Sequence, residues 1–263
     1  MRSNNPALNR MLNSTAQQRQ MAPEYGHYGD MSAPPRVEPM TLDDVVVRTI
    51  GMLLLTGIAG AFSWSQVDTN PQLAMGLMMV GGIVSLGVIL VSWFTNIANP
   101  WVVGIYAAAQ GLALGVVSAM YESMWNGIVL QAVVATFGVF FGMALLYKAK
   151  IVRNSPKFTK FMIGTGFGIM ALILVNFVMS MVGINMGLFN NDPNSEVSAL
   201  QWIIALVMVG WGALSFILDF DMVEQGVRYG APKKFAWAAT FGLVAGLIFL
   251  YWSILRLLGY INR

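Results

Sequence analysis

The stretch FAWAATFGLVAGLIFLYWSILRLLGY, Phe235–Tyr260, determines how the rest of the chain is interpreted. Its one charged residue is Arg256, and its length exceeds the roughly 20 apolar residues that a helix needs to cross a bilayer. Because the bilayer core contains no water to satisfy backbone groups, an apolar run of this length indicates a transmembrane helix. Small residues such as Ala239, Gly242 and Gly246 gather on one side at helical spacing, which predicts that this helix lies at the centre of a bundle.

The composition of the whole chain is typical of an integral membrane protein. Hydrophobic residues make up 57% of the 263 residues and charged residues only 10%, whereas soluble domains carry about 25% charged residues. Cysteine is absent, and the one histidine, His27, precedes the apolar part of the chain. Disulfides, cysteine nucleophiles and a histidine-based metal or catalytic site within the membrane are therefore excluded.

Seven apolar segments follow a polar N-terminal region. Residues 1–40 are polar without periodicity and are predicted to be a disordered cytoplasmic tail, followed by one seven-helix domain over residues 41–263. The segments are Val45–Trp64, Leu73–Phe94, Trp101–Tyr121, Ile128–Tyr147, Phe161–Ile184, Leu200–Leu218 and Phe235–Tyr260. They predict an all-α membrane protein with seven transmembrane helices.

Basic residues predict the orientation of the chain. They occur in the N-terminal region and in two connections, which contain Lys148, Lys150, Arg153, Lys157, Lys160, Arg228, Lys233 and Lys234. Residues 65–72 and 185–198, on the opposite side, contain no Lys or Arg. Because basic loops stay in the cytoplasm, we expect a cell (inner) membrane protein with a cytoplasmic N-terminus and an external C-terminus.

Asp219 and Asp221 are the charged residues whose position at the end of an apolar segment is hardest to explain. Long side chains at span ends, such as those of Arg48 and Arg256, reach the headgroups, whereas an aspartate is too short to do so. If the segment is helical, Asp219 and Asp221 point about 200° apart. Asp219 shares its face with Ser215, and Asp221 shares its face with a Glu–Arg pair at a spacing that favours a surface ion pair.

An aspartate in this position suits the handling of ions. Apolar surroundings favour the protonated form of a carboxyl group and a nearby cation favours its charged form, so such a group can exchange a proton for a cation. Calcium usually takes about six to eight oxygen ligands. Asp221 and Asp219 would therefore be weak, transient calcium ligands in a site of ion passage or gating. An aspartyl protease needs two carboxylates from different helices, whereas these two lie on one segment. We therefore expect that the protein is not an enzyme, and we expect no cofactor.

These features together resemble the Bax inhibitor-1/YccA-like family, also called the transmembrane Bax inhibitor motif family, in its bacterial type. The resemblance rests on QGLALGVVSAMYE (110–122), GIVLQAVVATFGVFFGMALLYK (127–148), LDFDMVEQGVRYGAPKKFAWAATFGL (218–243) and the C-terminal stretch. It implies that six helices enclose the last one. It also implies a pH-sensitive calcium leak, with Ca²⁺ as the transported ion.

The resemblance further implies a carboxylate pair, with one member on helix six and one on helix seven, that senses pH and keeps the pore shut. The helix-six member follows an aromatic residue, which favours Asp221 after Phe220 and leaves Asp219 as the runner-up. The helix-seven acid is missing, because alternative alignments put Gly246 or Ser253 at its place. The auxiliary polar residues of the predicted site are Ser215, Glu224, Arg228 and Ser253.

A second function is a membrane interaction protein that modulates a protease or stress-response partner without conducting ions. Its support is a set of glycine pairs four residues apart, a spacing that allows helices to approach closely. The pairs are Gly111/Gly115, Gly138/Gly142, Gly164/Gly168 and Gly242/Gly246. The expected partners are the lipid bilayer and another membrane protein; the net charge of +3 does not indicate nucleic acid. A secondary transporter is less favoured, because the sequence shows no repeated halves.

Overall fold

Seven long helices make up most of the chain that the structure describes. The structure is a computed structural model that describes residues 38–94, 98–183 and 196–263. The helices are α1 (Leu42–Thr69), α2 (Pro71–Phe94), α3 (Pro100–Met124), α4 (Ile128–Lys148), α5 (Pro156–Met181), α6 (Ala199–Arg228) and α7 (Ala236–Ile261), with a short 3₁₀ helix (Lys233–Phe235) before α7. All seven are long and apolar enough to cross a membrane, which confirms the predicted fold class.

Polar side chains cap the first turn of four helices, and two of these caps are capping boxes. Thr41 Oγ1 accepts a hydrogen bond from the Asp44 N–H (3.2 Å), and the Asp44 carboxylate accepts one from the Thr41 N–H (3.1 Å). Ser198 and Gln201 form the same capping box at the start of α6. These caps satisfy backbone donors that the first turn of a helix leaves without a partner.

The sixth helix extends further than the sequence indicated. The predicted span ends at Leu218, whereas α6 continues to Arg228 and stops before Gly230, which has a positive φ of 64°. Asp219 and Asp221 therefore lie within one continuous helix. The apolar run ends at residue 218, but the residues after it still favour a helix until glycine permits the left-handed turn.

The close crossing of α1 and α3 requires the glycine pair Gly111/Gly115. A Cβ at Gly115 would overlap the Gly60 carbonyl and the Ser63 side chain, and a Cβ at Gly111 would overlap the backbone at Thr56. Only glycine allows the two backbones to approach this closely. The two pairs on α4 and α5 differ, because nothing lies within 4 Å of a Cβ built at any of their four glycines.

The last helix is only partly enclosed by other helices. α7 packs against α1, α3, α4 and α6. On the side of α2 and α5, a cavity lies between these helices and α7. The expected arrangement of six helices around α7 is therefore not confirmed. α3 is buried over a larger share of its length than α7, because α1 and α2 cross it closely.

Three described segments meet at one end of the bundle, which we call the basic end (residues 38–48, 148–157 and 228–234). Arg48 Nη1 donates to the carbonyl of Lys233 (2.9 Å), and the Met40 N–H donates to the Ala231 carbonyl (2.7 Å). These contacts join the start of α1 to the connection before α7. The predicted tail lies outside the described residues up to position 37, so its disorder stays a prediction.

Candidate functional site

A cavity of about 760 Å³ lies between α2, α3, α5, α6 and α7. Most of the side chains that line it are apolar. Its charged lining residues are Asp219 on α6 and Arg256 on α7. Two of the predicted auxiliary residues, Ser215 and Ser253, also line it. The cavity thus brings together Asp219 and both serines of the predicted site.

Asp219 faces this cavity beside the glycine pair of α7. A Cβ at Gly242 would lie 2.6 Å from Asp219 Oδ1, and a Cβ at Gly246 would lie 3.3 Å from Asp219 Oδ2. Both carboxylate oxygens therefore occupy space that a side chain on α7 would otherwise fill. Within the described residues, no hydrogen bond or ion pair joins the Asp219 carboxyl group to another side chain or to the backbone.

The position of Gly246 distinguishes between the two alignments that the resemblance left open for the missing acid of helix seven. Of the two positions offered for the missing acid of helix seven, Gly246 is the one in contact with Asp219. Ser253 lies about 10 Å further along the axis of α7. The hydroxyl of Ser253 donates to the Phe249 carbonyl (2.8 Å), and that of Ser215 donates to the Gly212 carbonyl (2.8 Å). Each serine hydroxyl is thus satisfied within its own helix.

Asp221 lies on a different side of α6, at the basic end, and both of its oxygens have partners. Asp221 Oδ2 accepts hydrogen bonds from Asn154 Nδ2 and Gln225 Nε2, each at 2.7 Å. Asp221 Oδ1 accepts a longer one, 3.3 Å, from the hydroxyl of Tyr147. The carboxylate therefore ties the connection after α4 to α6.

Glu224 belongs to the same group of polar side chains. Its Oε2 accepts from the Tyr147 hydroxyl (2.6 Å) and from Arg153 Nη1 (2.8 Å). The Arg153 guanidinium also lies 5.0 Å from the centre of the Tyr147 ring. Arg228, the partner expected from the sequence, lies over the ring of Tyr229 instead. We call the following set the basic-end network: Tyr147, Arg153, Asn154, Asp221, Glu224 and Gln225.

Arg256 marks the end of the cavity that is remote from Asp219. The ten residues between Gly246 and Arg256 correspond to about 15 Å along α7. Arg256 Nη1 lies 3.6 Å from Met208 Sδ, and its guanidinium also interacts with the Tyr121 side chain. Arg256, which the sequence puts near the outer end of the last apolar segment, lines the cavity in the structure.

The two aspartates do not form one metal site. They face different parts of the protein, and within the described residues no three acidic or histidine side chains come together around one point. An ion at Asp219 would need most of its oxygen ligands from water or from hydroxyl and amide groups of the wall.

The helices and the cavity define a multi-pass membrane protein with an internal, mostly apolar space. The model of the family described as Bax inhibitor 1 like matches residues 5–263. The chain therefore belongs to the Bax inhibitor 1 like family, which confirms the resemblance seen in the sequence. The chain has no match among curated proteins and none among solved structures.

Proposed function

We propose that this protein is a cation-leak protein in which Asp219 is the ion or proton site. The observation that carries the proposal is a carboxyl group in the wall of a mostly apolar cavity without a hydrogen-bond or ion-pair partner among the described residues. A polar group in such surroundings costs free energy unless it is hydrogen-bonded. Ionisable residues inside membranes that bear this cost are typical of ion and proton pathways.

The proposed step at Asp219 is an exchange of a proton for a cation. The neutral carboxyl group suits the apolar cavity, and an arriving cation stabilises the carboxylate. Calcium would enter as the transported ion and keep part of its water shell, because Asp219 supplies at most two of its ligands. No catalysis and no cofactor belong to this proposal.

Gly246 changes the gating that the resemblance implied. With glycine opposite Asp219, the two helices present one carboxyl group where a shared-proton pair would need two. We therefore propose that the response of this protein to pH arises from a single carboxyl group. The contact between Asp219 and α7 would open and close with a small change in the spacing of α6 and α7.

The proposed orientation follows from charge. The basic end carries the described lysines and arginines of two connections, which favours the cytoplasmic side of the cell membrane. Asp219 would then lie nearer the cytoplasmic end of the cavity and Arg256 nearer the external end.

Calcium flux into liposomes containing the purified protein tests the proposal. We expect Asp219→Asn to reduce flux at least several-fold, because the variant keeps the shape of the side chain and loses the charge. The matched variant Asp221→Asn removes a charge from the same helix outside the cavity and should retain flux. Equal flux in wild type and Asp219→Asn would refute the role of Asp219. Loss of flux in Asp221→Asn alone would support the residue that the sequence favoured.

The alternative of a membrane interaction protein has one specific observation in its favour. The glycine pairs of α4 and α5, Gly138/Gly142 and Gly164/Gly168, have open space at their missing side chains. Such faces suit close contact with a helix of another protein. Replacing these glycines by leucine should abolish crosslinking to a partner in the membrane. That result, together with no calcium flux in liposomes, would favour this function.

A further inference from the structure

The cavity is larger than a small inorganic ion requires. Its volume of about 760 Å³ lies within the range of small-molecule sites, about 300–1,000 Å³. Its walls are mostly apolar side chains. We propose that the cavity binds a lipophilic organic cation, with Asp219 as the counter-ion. This inference shares Asp219 with the proposed leak but does not require that calcium passes.

Aromatic rings form part of the wall of this cavity. Tyr106 and Phe241 pack edge to face with ring centres 4.9 Å apart, and Trp211 and Phe249 do so at 5.2 Å. All four residues line the cavity, and Phe241 is next in sequence to the glycine that contacts Asp219. The faces of aromatic rings attract organic cations, and tryptophan does so most strongly.

One tryptophan of this wall is held in place by hydrogen bonds. Trp211 Nε1 donates to Thr165 Oγ1 (3.0 Å) and to the Met162 carbonyl (3.3 Å) on α5. Its ring covers Gly166, where a Cβ would lie 2.8 Å from the ring atoms. The indole is therefore positioned before a ligand arrives, which lowers the entropy lost on binding.

Charge and apolar surface together favour an organic cation over a bare metal ion. A metal ion such as calcium needs about six to eight oxygen ligands, and the cavity wall offers one carboxylate with a few hydroxyl and amide groups. An organic cation with apolar substituents needs one counter-charge and apolar contacts. Arg256, at the remote end, repels the cation and so favours the end that contains Asp219.

The cavity also reaches the outer surface of the bundle beside α5. Ile163 and Phe167 line the cavity, yet about half of each side chain is exposed (50% and 51%). On a helix of this hydrophobicity, an exposed apolar surface faces lipid. A ligand that dissolves in the bilayer would enter the cavity beside these two side chains.

Binding of tetraphenylphosphonium to the purified full-length protein in detergent tests the inference. Equilibrium dialysis with the labelled cation should show saturable binding that Asp219→Asn weakens at least tenfold. Asp219→Glu keeps the charge and should stay within a few-fold of wild type. Asp221→Asn, which leaves the cavity unchanged, should bind as wild type does.

A variant that fills the cavity distinguishes binding inside the cavity from attraction by the Asp219 charge at a distance. Gly82 lines the cavity, and a Cβ built there meets nothing within 4 Å. Gly82→Leu would therefore place its side chain in the cavity without a backbone clash, and should weaken binding several-fold with Asp219 intact. Tetraphenylborate, which has the same shape and the opposite charge, should show no binding that depends on Asp219.

The outcomes distinguish this inference from the proposed leak. Absence of saturable binding to the wild-type protein, or equal binding to wild type and Asp219→Asn, overturns the inference. If Asp219→Asn unfolds in detergent, loss of binding in folded Gly82→Leu supports the inference and unchanged binding overturns it. Binding that depends on Asp219 without calcium flux supports the organic-cation site and refutes the leak. Flux that depends on Asp219 without tetraphenylphosphonium binding refutes the organic-cation site alone.

Discussion

Asp219 and Asp221 lie two residues apart on α6, and the protein surrounds their carboxyl groups in opposite ways. At the basic end, Asp221 accepts hydrogen bonds from Asn154, Gln225 and Tyr147. At the cavity wall, Asp219 contacts the bare backbone of α7 and has no such donor among the described residues. Two residues along the helix therefore separate an acid with a structural role from one that can meet a ligand.

The difference arises from the two elements that pack on either side of α6. The connection after α4 supplies amide and guanidinium donors to the side that carries Asp221. α7 supplies glycine to the side that carries Asp219. A paired carboxylate stabilises the fold, whereas an unpaired one costs free energy and is typical of functional sites in membranes.

The largest loss of stability is expected for Gly242→Leu. A Cβ at Gly242 would lie 2.6 Å from Asp219 Oδ1, so the carboxyl group must turn away before the rest of a leucine side chain fits between α6 and α7. Overpacking of a core costs about 1–3 kcal/mol. Thermal unfolding of the purified protein in detergent measures the effect.

The matched control for that substitution is Gly138→Leu on α4. Nothing lies within 4 Å of a Cβ at Gly138, and the residue is exposed. Its unfolding temperature should match that of the wild type. If both leucine variants unfold at the same temperature, the close contact of α7 with Asp219 is wrong.

A smaller effect is expected for Asp221→Ala, compared with Asp219→Ala. The first removes acceptors from Asn154, Gln225 and Tyr147 and should cost about 2 kcal/mol. Hydrogen exchange of residues 149–155 should rise, because this connection loses its link to α6. The second removes a carboxyl group without donors, so stability should stay the same or increase. The reverse order of stabilities would contradict the assignment of roles.

The smallest effect is expected for Tyr147→Phe. This change removes the hydroxyl that donates to Glu224 and Asp221 and keeps the ring that contacts Arg153. The loss should be about 1 kcal/mol, the usual value for one net hydrogen bond. Tyr229→Phe is the control, because that ring is exposed and should not affect stability. A cost for Tyr147→Phe no larger than for Tyr229→Phe would show that the basic-end network contributes little.

The sequence predicts the helices of this protein well, because a helix that crosses lipid must be a long apolar segment. Six of the seven predicted spans lie within observed helices or differ from them by one residue at an end. The fifth predicted span, which runs to Ile184, differs because α5 ends at Met181 and Gly183 has a positive φ of 80°; Ile184 itself lies outside the described residues. The sixth predicted span lies within α6 but stops ten residues before its end at Arg228.

The position of the last helix could be predicted only in part. The small residues of α7 indicated neighbours on that side, and α1, α3, α4 and α6 do pack against it. The sequence does not distinguish a glycine face that meets a helix from one that borders a cavity. Gly111 and Gly115 meet the backbone of α1. Gly242 instead lies beside the Asp219 carboxyl group, and Gly246 lies beside both that group and the Phe216 ring.

The sequence identified both aspartates as candidates, but it did not show which of them faces the cavity. The helical angle of about 200° correctly separates their faces if α6 stays helical, as it does. Which face meets α7 depends on how α6 rotates in the bundle. Asn154 and Arg153, which engage the other face, are distant in sequence and gave no local signal.

The reaction of each aspartate with dicyclohexylcarbodiimide measures whether Asp219 faces the cavity while Asp221 is held by the basic-end network. This apolar reagent modifies carboxyl groups and partitions into apolar spaces, while hydrogen-bond donors protect a carboxylate that they hold. Mass spectrometry of the treated wild-type protein should find the adduct mainly on Asp219, with at least a tenfold excess over Asp221. Prior addition of calcium or tetraphenylphosphonium should reduce it. Equal labelling of both aspartates, or preferential labelling of Asp221, would contradict the assignment of Asp219 to the cavity and of Asp221 to the basic-end network.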